Sequence, residues 1–216
     1  MKRAIVLLGV VSLLVLASAA NANWVVAVWG FGSDSSNYTL APQYDFPGTS
    51  TLTAGNADYD TNGGDGVTGQ ALHWNDVSKS GDNDAYIIIT TDTSLWYDMS
   101  IRWDYKSDNT GDKKGPVSFD LDYQVDDSGW INILDNYAIA RDDTWHEFSY
   151  DLSWLGAINI QPSVQFRIND FDENDLSGDY WQDNVELTGT LIPEPLSVVF
   201  LALGGVAVLR KRPKQK

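Results

Sequence analysis

The chain has 216 residues, of which 30 are acidic and 14 basic, for a net charge of −16 at neutral pH. It has no cysteine, which excludes disulfides, thiolate zinc sites and a cysteine nucleophile. The acid excess argues against nucleic acid as a partner, because that binding depends on Lys and Arg neutralising phosphate.

The first 22 residues read MKRAIVLLGVVSLLVLASAANA. Lys2 and Arg3 precede an apolar stretch from Ala4 to Leu16, and small residues follow. This is the order of a secretory signal peptide, with Ala17-Ser18-Ala19 and Ala20-Asn21-Ala22 as cleavage sites. Residues 1–22 are therefore expected to form a signal-peptide helix that is removed on export. Between positions 23 and 192 there are seven basic and 29 acidic residues, a net −22. Such a body is soluble and attracts cations. Most of its acids are Asp, and the whole chain has four Glu. Asp suits turns and cation-binding loops, whereas Glu suits helices. About 170 residues can bury a sizeable core without disulfides.

Within residues 23–190 the apolar residues alternate with period two, the mark of half-buried strands. Strands are predicted at Trp24–Phe31, Gln70–Trp74 and Ala85–Thr91. In LWYDMSIRWDY, Leu95, Tyr97, Met99, Ile101, Trp103 and Tyr105 share one face. In PVSFDLDYQV, Val117, Phe119, Leu121, Tyr123 and Val125 face opposite Ser118, Asp120, Asp122 and Gln124. Further strands are predicted at Trp130–Leu134, Thr144–Leu152 and Asn184–Thr190. In SVQFRIND, Val164, Phe166 and Ile168 oppose Gln165 and Arg167. Gly, Asp and Asn turns separate these runs, and no long helical period occurs. The fold class is all-β, an antiparallel jelly-roll-like β-sandwich.

Three constellations could carry chemistry. In DYDTNGGDG, Asp58, Asp60 and Asn62 alternate before Gly63, with Asp65 following. This opening resembles a calcium loop, in which alternate oxygens wrap a hard cation. The twelfth position is Gly69, where a bidentate acid would stand, and no helix flanks the loop, so the pattern is incomplete. Asp34 or Asp183 could complete a Ca²⁺ site; a solvated Asp/Gly turn is the alternative. Asp170, Asp172, Asp175 and Asp179 form a second acidic loop.

The second constellation is aromatic, with nine Trp and ten Tyr. Flat aromatic faces with nearby polar groups suit sugar rings. Trp96, opposite Leu95 and Tyr97, and Trp130 and Trp181, near turns, are the candidate glycan platforms; Trp154 is also near a turn. Core packing is the competing use of each ring. The third is Asp120 and Asp122 on one strand face, with Asp126 close by. Neighbouring carboxylates can act as acid and nucleophile on glycosides, but alternating Asp on a solvated face is ordinary. His73 and His146 lie in separate strands, and no hydrolase, zincin or phosphate-loop motif occurs. No catalytic residue is assigned and no enzymatic activity is expected.

The chain ends LIPEPLSVVFLALGGVAVLRKRPKQK. Leu196–Leu209 carries no charge, and Arg210, Lys211, Arg212, Lys214 and Lys216 follow. Positive charge beyond an apolar segment tends to remain cytoplasmic. Pro193, Glu194 and Pro195 precede the segment, and two prolines hold the backbone extended there. These three parts in order resemble the PEP-CTERM sorting signal of exported bacterial proteins. The resemblance implies that residues 191–216 form a temporary transmembrane helical anchor, recognised by an exosortase that cuts near Pro-Glu-Pro. It also implies a Gram-negative-type envelope and an association with extracellular polysaccharide. Between the ends, VSFDLDYQVDDSGWINI, WHEFSYDLSWL, VQFRIND and WQDNVELTGT are similar in order to galactose-binding-like or laminin-G-like jelly rolls. That similarity implies that the strand containing Asp183, Asn184 and Val185 returns beside the first strands.

The expected function is that of an exported, exosortase-sorted envelope or matrix protein, non-enzymatic, associating with polysaccharide and Ca²⁺. A secreted glycan-active enzyme and a purely structural surface protein are the alternatives.

Overall fold

The computed structural model describes residues 23–31, 39–40, 44–45, 49–55, 58–59, 71–74, 85–110, 114–172 and 178–192. Among these residues there are thirteen strands: β1 (Asn23–Trp29), β2 (Thr39–Leu40), β3 (Tyr44–Asp45), β4 (Thr51–Gly55), β5 (Asp58–Tyr59), β6 (Leu72–Trp74), β7 (Tyr86–Thr91), β8 (Trp96–Ser107), β9 (Ser118–Val125), β10 (Ile131–Ala138), β11 (His146–Asp151), β12 (Val164–Asp172) and β13 (Tyr180–Leu191). The only helical turn among the described residues is the 3₁₀ segment Gly156–Ile158. No described helix is long and apolar enough to cross a membrane. The predicted signal-peptide and tail helices lie outside the described residues, as do Pro193, Glu194, Pro195, Arg210, Lys211 and Arg212.

The strands form two antiparallel sheets, an all-β sandwich as the alternation predicts. One has the order β11-β8-β13-β1-β3, with β6 pairing β13 and β5 pairing β6; the other runs β10-β9-β12-β7-β4-β2. From β7 onward the chain changes sheet at five connections, which interleaves the two layers. The strand carrying Asp183, Asn184 and Val185 lies beside β1, as the similarity to galactose-binding-like jelly rolls implies. Residues Val25–Gly189 form one compact unit. In the other unit, among the described residues, the Thr190 hydroxyl donates to Asn23 Oδ1 at 3.3 Å.

The inner faces alternate, on β9 and β12 as predicted. Phe119 and Leu121 on β9, Phe166 and Ile168 on β12, Ile87 and Ile89 on β7 and Leu52 on β4 are all wholly buried. They meet a chain of rings. Trp103 packs on Phe148 at 4.1 Å and on Phe119 at 5.2 Å, and Phe171 packs on Tyr180 at 4.9 Å. Phe119 stands edge-on to Phe148 at 5.1 Å. Rings in such tilted and edge contacts add to the area they bury. Burial raises the Tyr180 hydroxyl far above its ordinary pKa.

One predicted parity fails. Asp98 takes φ +50, a left-handed conformation open to Asp through its short polar side chain. The β8 burial sequence then puts Trp96, Met99, Ile101, Trp103 and Tyr105 on the buried side, with Tyr97 only half-buried. The irregular residue reverses the face on which its upstream neighbours stand. Trp96, not Tyr97, joins the core.

Candidate functional site

The outward face of the six-stranded sheet is set by the residues alternating with that core. Register places Gln165 beside Gln124 and Thr90, and Arg167 beside Asp122 and Ile88. Thr51 lies beside Thr90, Thr53 beside Ile88, and Gly55 beside Tyr86. Asn169 lies beside Asp120, and Asn132 of β10 beside Asp122. The result is a grid of amides, hydroxyls and one guanidinium across five strands.

Arg167 is its centre. Its Nε and Nη2 donate to Asp122 Oδ2 at 3.1 and 2.6 Å. Asn132 Nδ2 donates to Asp122 Oδ1 at 3.1 Å. The Asp122 side chain is 8% exposed and that of Arg167 27%. A carboxylate so far from water needs such partners. The guanidinium has five N–H donors, so the rest of them stay available. The Trp130 ring lies against it, 4.3 Å from Arg167 Cζ to the ring centroid. Gln124 Nε2 donates to Gln165 Oε1, which orients both amides.

Local backbone explains why Trp130 stands there. After β9, Asp126 and Asp127 take φ +47 and +57, and Ser128 N–H donates to Val125 O at 2.9 Å. Two consecutive positive φ values are those of a type I′ turn, whose twist suits a hairpin. Gly129 then takes φ +97, which a side chain would strain, and delivers Trp130 to the sheet. At the far side of the face, the Tyr86 ring covers Gly55, where any Cβ would overlap it.

Asp120 sits between two irregularities. β10 shifts register between Leu134 and Tyr137, around Asn136 at φ +49. β12 shifts between Asn169 and Asp172, around Asp170 at φ +48. Bulges of this kind re-aim groups, and here Asn136 N–H points at Asp120 Oδ1 from 2.7 Å. Asp120 is nevertheless held above the usual carboxylate range. Burial is the first cause, the charges of Asp170, Asp135 and Asp122 add to it, and the Asn136 hydrogen bond opposes it.

The sequence-predicted glycan residues separate. Trp130 is partly exposed at the edge of this face. Trp96 is 1% exposed, and its ring is a core ring through the Asp98 irregularity. Trp181 is 8% exposed, on the other sheet, stacked on His73 at 4.8 Å and under Lys106 Nζ at 4.2 Å. Neither Trp96 nor Trp181 presents a free face, which corrects their reading as platforms. Trp154, 61% exposed, lies on the connection after β11.

Of the calcium candidates, Asp60, Asn62 and Asp65 lie outside the described residues. Asp58 heads the short strand β5, paired with His73 of β6. Asp183 is wholly buried, and its carboxylate accepts the Asn184 N–H at 2.7 Å. Asp179 reaches His73 Nε2 at 3.4 Å. Among the described residues no group of three or more His, Asp or Glu is placed to hold a metal ion. Asp120 and Asp122 do share a face, but both oxygens of Asp122 are occupied by Arg167 and Asn132.

Arg167, Gln124 and Gln165 were legible as outward residues, and their assembly with Trp130 was not. The signal available was the Trp130 position just after a DDSG turn.

No protein-family model matches the chain, and no curated protein matches it. Several solved structures resemble it at low identity. The CBM22-1 xylan-binding domain of Paenibacillus barcinonensis Xyn10C aligns over 81% of this chain and 99% of its own, with 11% identity and a TM-score of 0.46. An F5/8 type C domain from Bacteroides fragilis aligns over 67% of this chain and 93% of its own, with 12% identity and a TM-score of 0.43. A non-crystalline cellulose specific carbohydrate-binding module, CBM28, covers 64% of this chain and 81% of its own, with 15% identity and a TM-score of 0.40. At such identities and TM-scores the likeness carries no inference about function or individual residues.

Proposed function

We propose that the chain binds polysaccharide on the outward face of the six-stranded sheet and performs no chemistry on it. The observation that carries this is the Trp130 ring set against Arg167, on the face that holds the paired amides of Gln124 and Gln165. A ring offers apolar surface to the C–H face of a sugar, and the free guanidinium and amide donors meet hydroxyls at its edge. The pairing of Asp122 with Arg167 and Asn132 supports binding over hydrolysis, because it takes one member of the carboxylate pair out of acid–base use.

Affinity electrophoresis of the chain through gels cast with soluble polysaccharides tests this reading. Retardation that is lost in Trp130→Ala is the expected result. Migration unaltered by every polymer would overturn it.

The sequence supports an exported protein, sorted at the envelope by an exosortase through its Pro-Glu-Pro tail. Intact-mass measurement of the protein from an exosortase-bearing host tests that part. Loss of both ends is expected, and a retained tail in the membrane fraction would sink it. Ca²⁺ bound by the Asp58–Asp65 loop belongs to the same proposal. A calcium-dependent rise in Tm that Asp60→Asn removes is expected, and its absence would dismiss the ion.

A further inference from the structure

The charge around Trp130 and Arg167 bears on which polysaccharide could lie there. Among the described residues that register places on this face Arg167 is the one cation, and Asp122 neutralises it through two hydrogen bonds to one oxygen. Asp120, Asp135 and Asp170 crowd the neighbouring row, close enough to raise the Asp120 pKa by mutual repulsion. The cations Arg102 and Lys106 belong to β8, in the other sheet. The body around the face carries a net −22, seven basic against 29 acidic residues between positions 23 and 192. A carboxylated or sulfated polymer entering this field would meet an excess of like charge.

The remaining groups are suited to neutral hydroxyls. Gln124 and Gln165 present amides, each able both to donate and to accept. Thr90 and Thr51 continue that row across the sheet by register. From β10 to β4 the face crosses five strands, roughly 19 Å at the usual strand spacing. Such a breadth spans several sugar units, where a site for one sugar or a chain end would be a closed pocket.

We infer that the ligand is an internal stretch of an uncharged polysaccharide, lying across the strands of the six-stranded sheet from Trp130 toward Tyr86. This rests on the binding reading above and adds the class of polymer to it.

The test uses the full chain in affinity gels containing a neutral β-glucan, xylan or mannan, or alginate or polygalacturonate, each at low and high ionic strength. Retardation by a neutral polymer that salt leaves unchanged, with none by the polyuronates, is expected. Retardation by a polyuronate that salt abolishes would overturn the inference while leaving polysaccharide binding intact. No retardation by any polymer would overturn the binding reading itself, and the inference with it. Calorimetry on an oligosaccharide series of the retarding polymer tests the length. Affinity is expected to rise by tenfold or more from the disaccharide to the hexasaccharide. Equal affinity for both would overturn the extended site. The Arg102→Gln variant, altered on the other sheet, is the control and should bind as the unaltered chain does.

Discussion

The outward faces of the two sheets use the same alternation and treat their polar groups differently. On the seven-stranded sheet Arg102 donates to Glu186 at 2.7 Å and to Glu147 at 3.0 Å. There Ser100 meets Thr188 at 2.6 Å, and Asn184 donates to Asp104 at 2.7 Å. These are short pairs between adjacent strands, and they use the polar groups on one another. On the six-stranded sheet Arg167 and Asp122, and Gln124 and Gln165, are likewise paired, but a tryptophan ring lies on the guanidinium and Ile88 and Tyr86 stand among the amides. The difference lies in the apolar surface set among the paired groups, not in the pairing itself.

The contrast can be broken from beneath. Phe119 packs between the sheets, against Trp103 and Phe148 of one and Phe171 of its own. Phe119→Ala should cost about 3–5 kcal/mol, and chemical denaturation should show both faces lost in one transition. Two separate transitions would mean that the layers do not share a core.

Next in size is the site itself. Trp130→Ala should weaken polymer binding about 30-fold, roughly 2 kcal/mol, with Tm little changed because the ring is partly exposed. Arg102→Ala on the opposite face should leave binding intact and cost at most about 1 kcal/mol of stability, as exposed ion pairs do. Equal losses of binding in the two variants would erase the distinction between the faces.

Titration separates the faces more finely. Asp120 is held above the usual carboxylate range, so the folded state binds its proton more readily than the unfolded one. Its ionised form opposes folding at neutral pH, and that penalty fades as pH falls into the carboxylate range. Asp120→Asn should therefore raise Tm slightly at pH 7 and lose the advantage in acid; a fall in Tm at pH 7 would contradict the stated repulsion.

Asp142, next to β11 of the other sheet, behaves in the opposite sense. Hydrogen bonds from His146 and Thr144 hold it down at about 2. Its contribution is present above the unfolded value of about 3.9 and is lost as pH falls toward 2. Asp142→Asn should flatten the Tm profile in that window, by the smallest amount of the set because the carboxylate is exposed. An unchanged profile would show that the pair is not formed in solution.

Much of the fold was legible because alternation is a local signal. The runs at Ala85–Thr91, in PVSFDLDYQV and in SVQFRIND became β7, β9 and β12, the last two with their inner faces as predicted. The short strands β2 to β5 were missed, since two- to five-residue strands hold too few alternations to register. The predicted strand Trp130–Leu134 extended to Ala138, where the bulge at Asn136 breaks the period but not the pairing. Trp96 was misread because a single left-handed Asp98 reverses parity, and nothing local in WYDM distinguishes a bulging Asp from an outward one.

Composition, alternation and turn residues by themselves determined an acidic, disulfide-free β-sandwich and which residues of most strands point away from its core. They are properties of neighbours along the chain. Tertiary structure decided the use of each ring and charge: four of the buried tryptophans, Trp29, Trp74, Trp96 and Trp103, are 1% exposed or less, while Trp130 is delivered onto Arg167. It also decided that Asp122 pairs with an arginine 45 residues away. The physical reason is that register between distant strands, which no local pattern encodes, determines which outward side chains become neighbours.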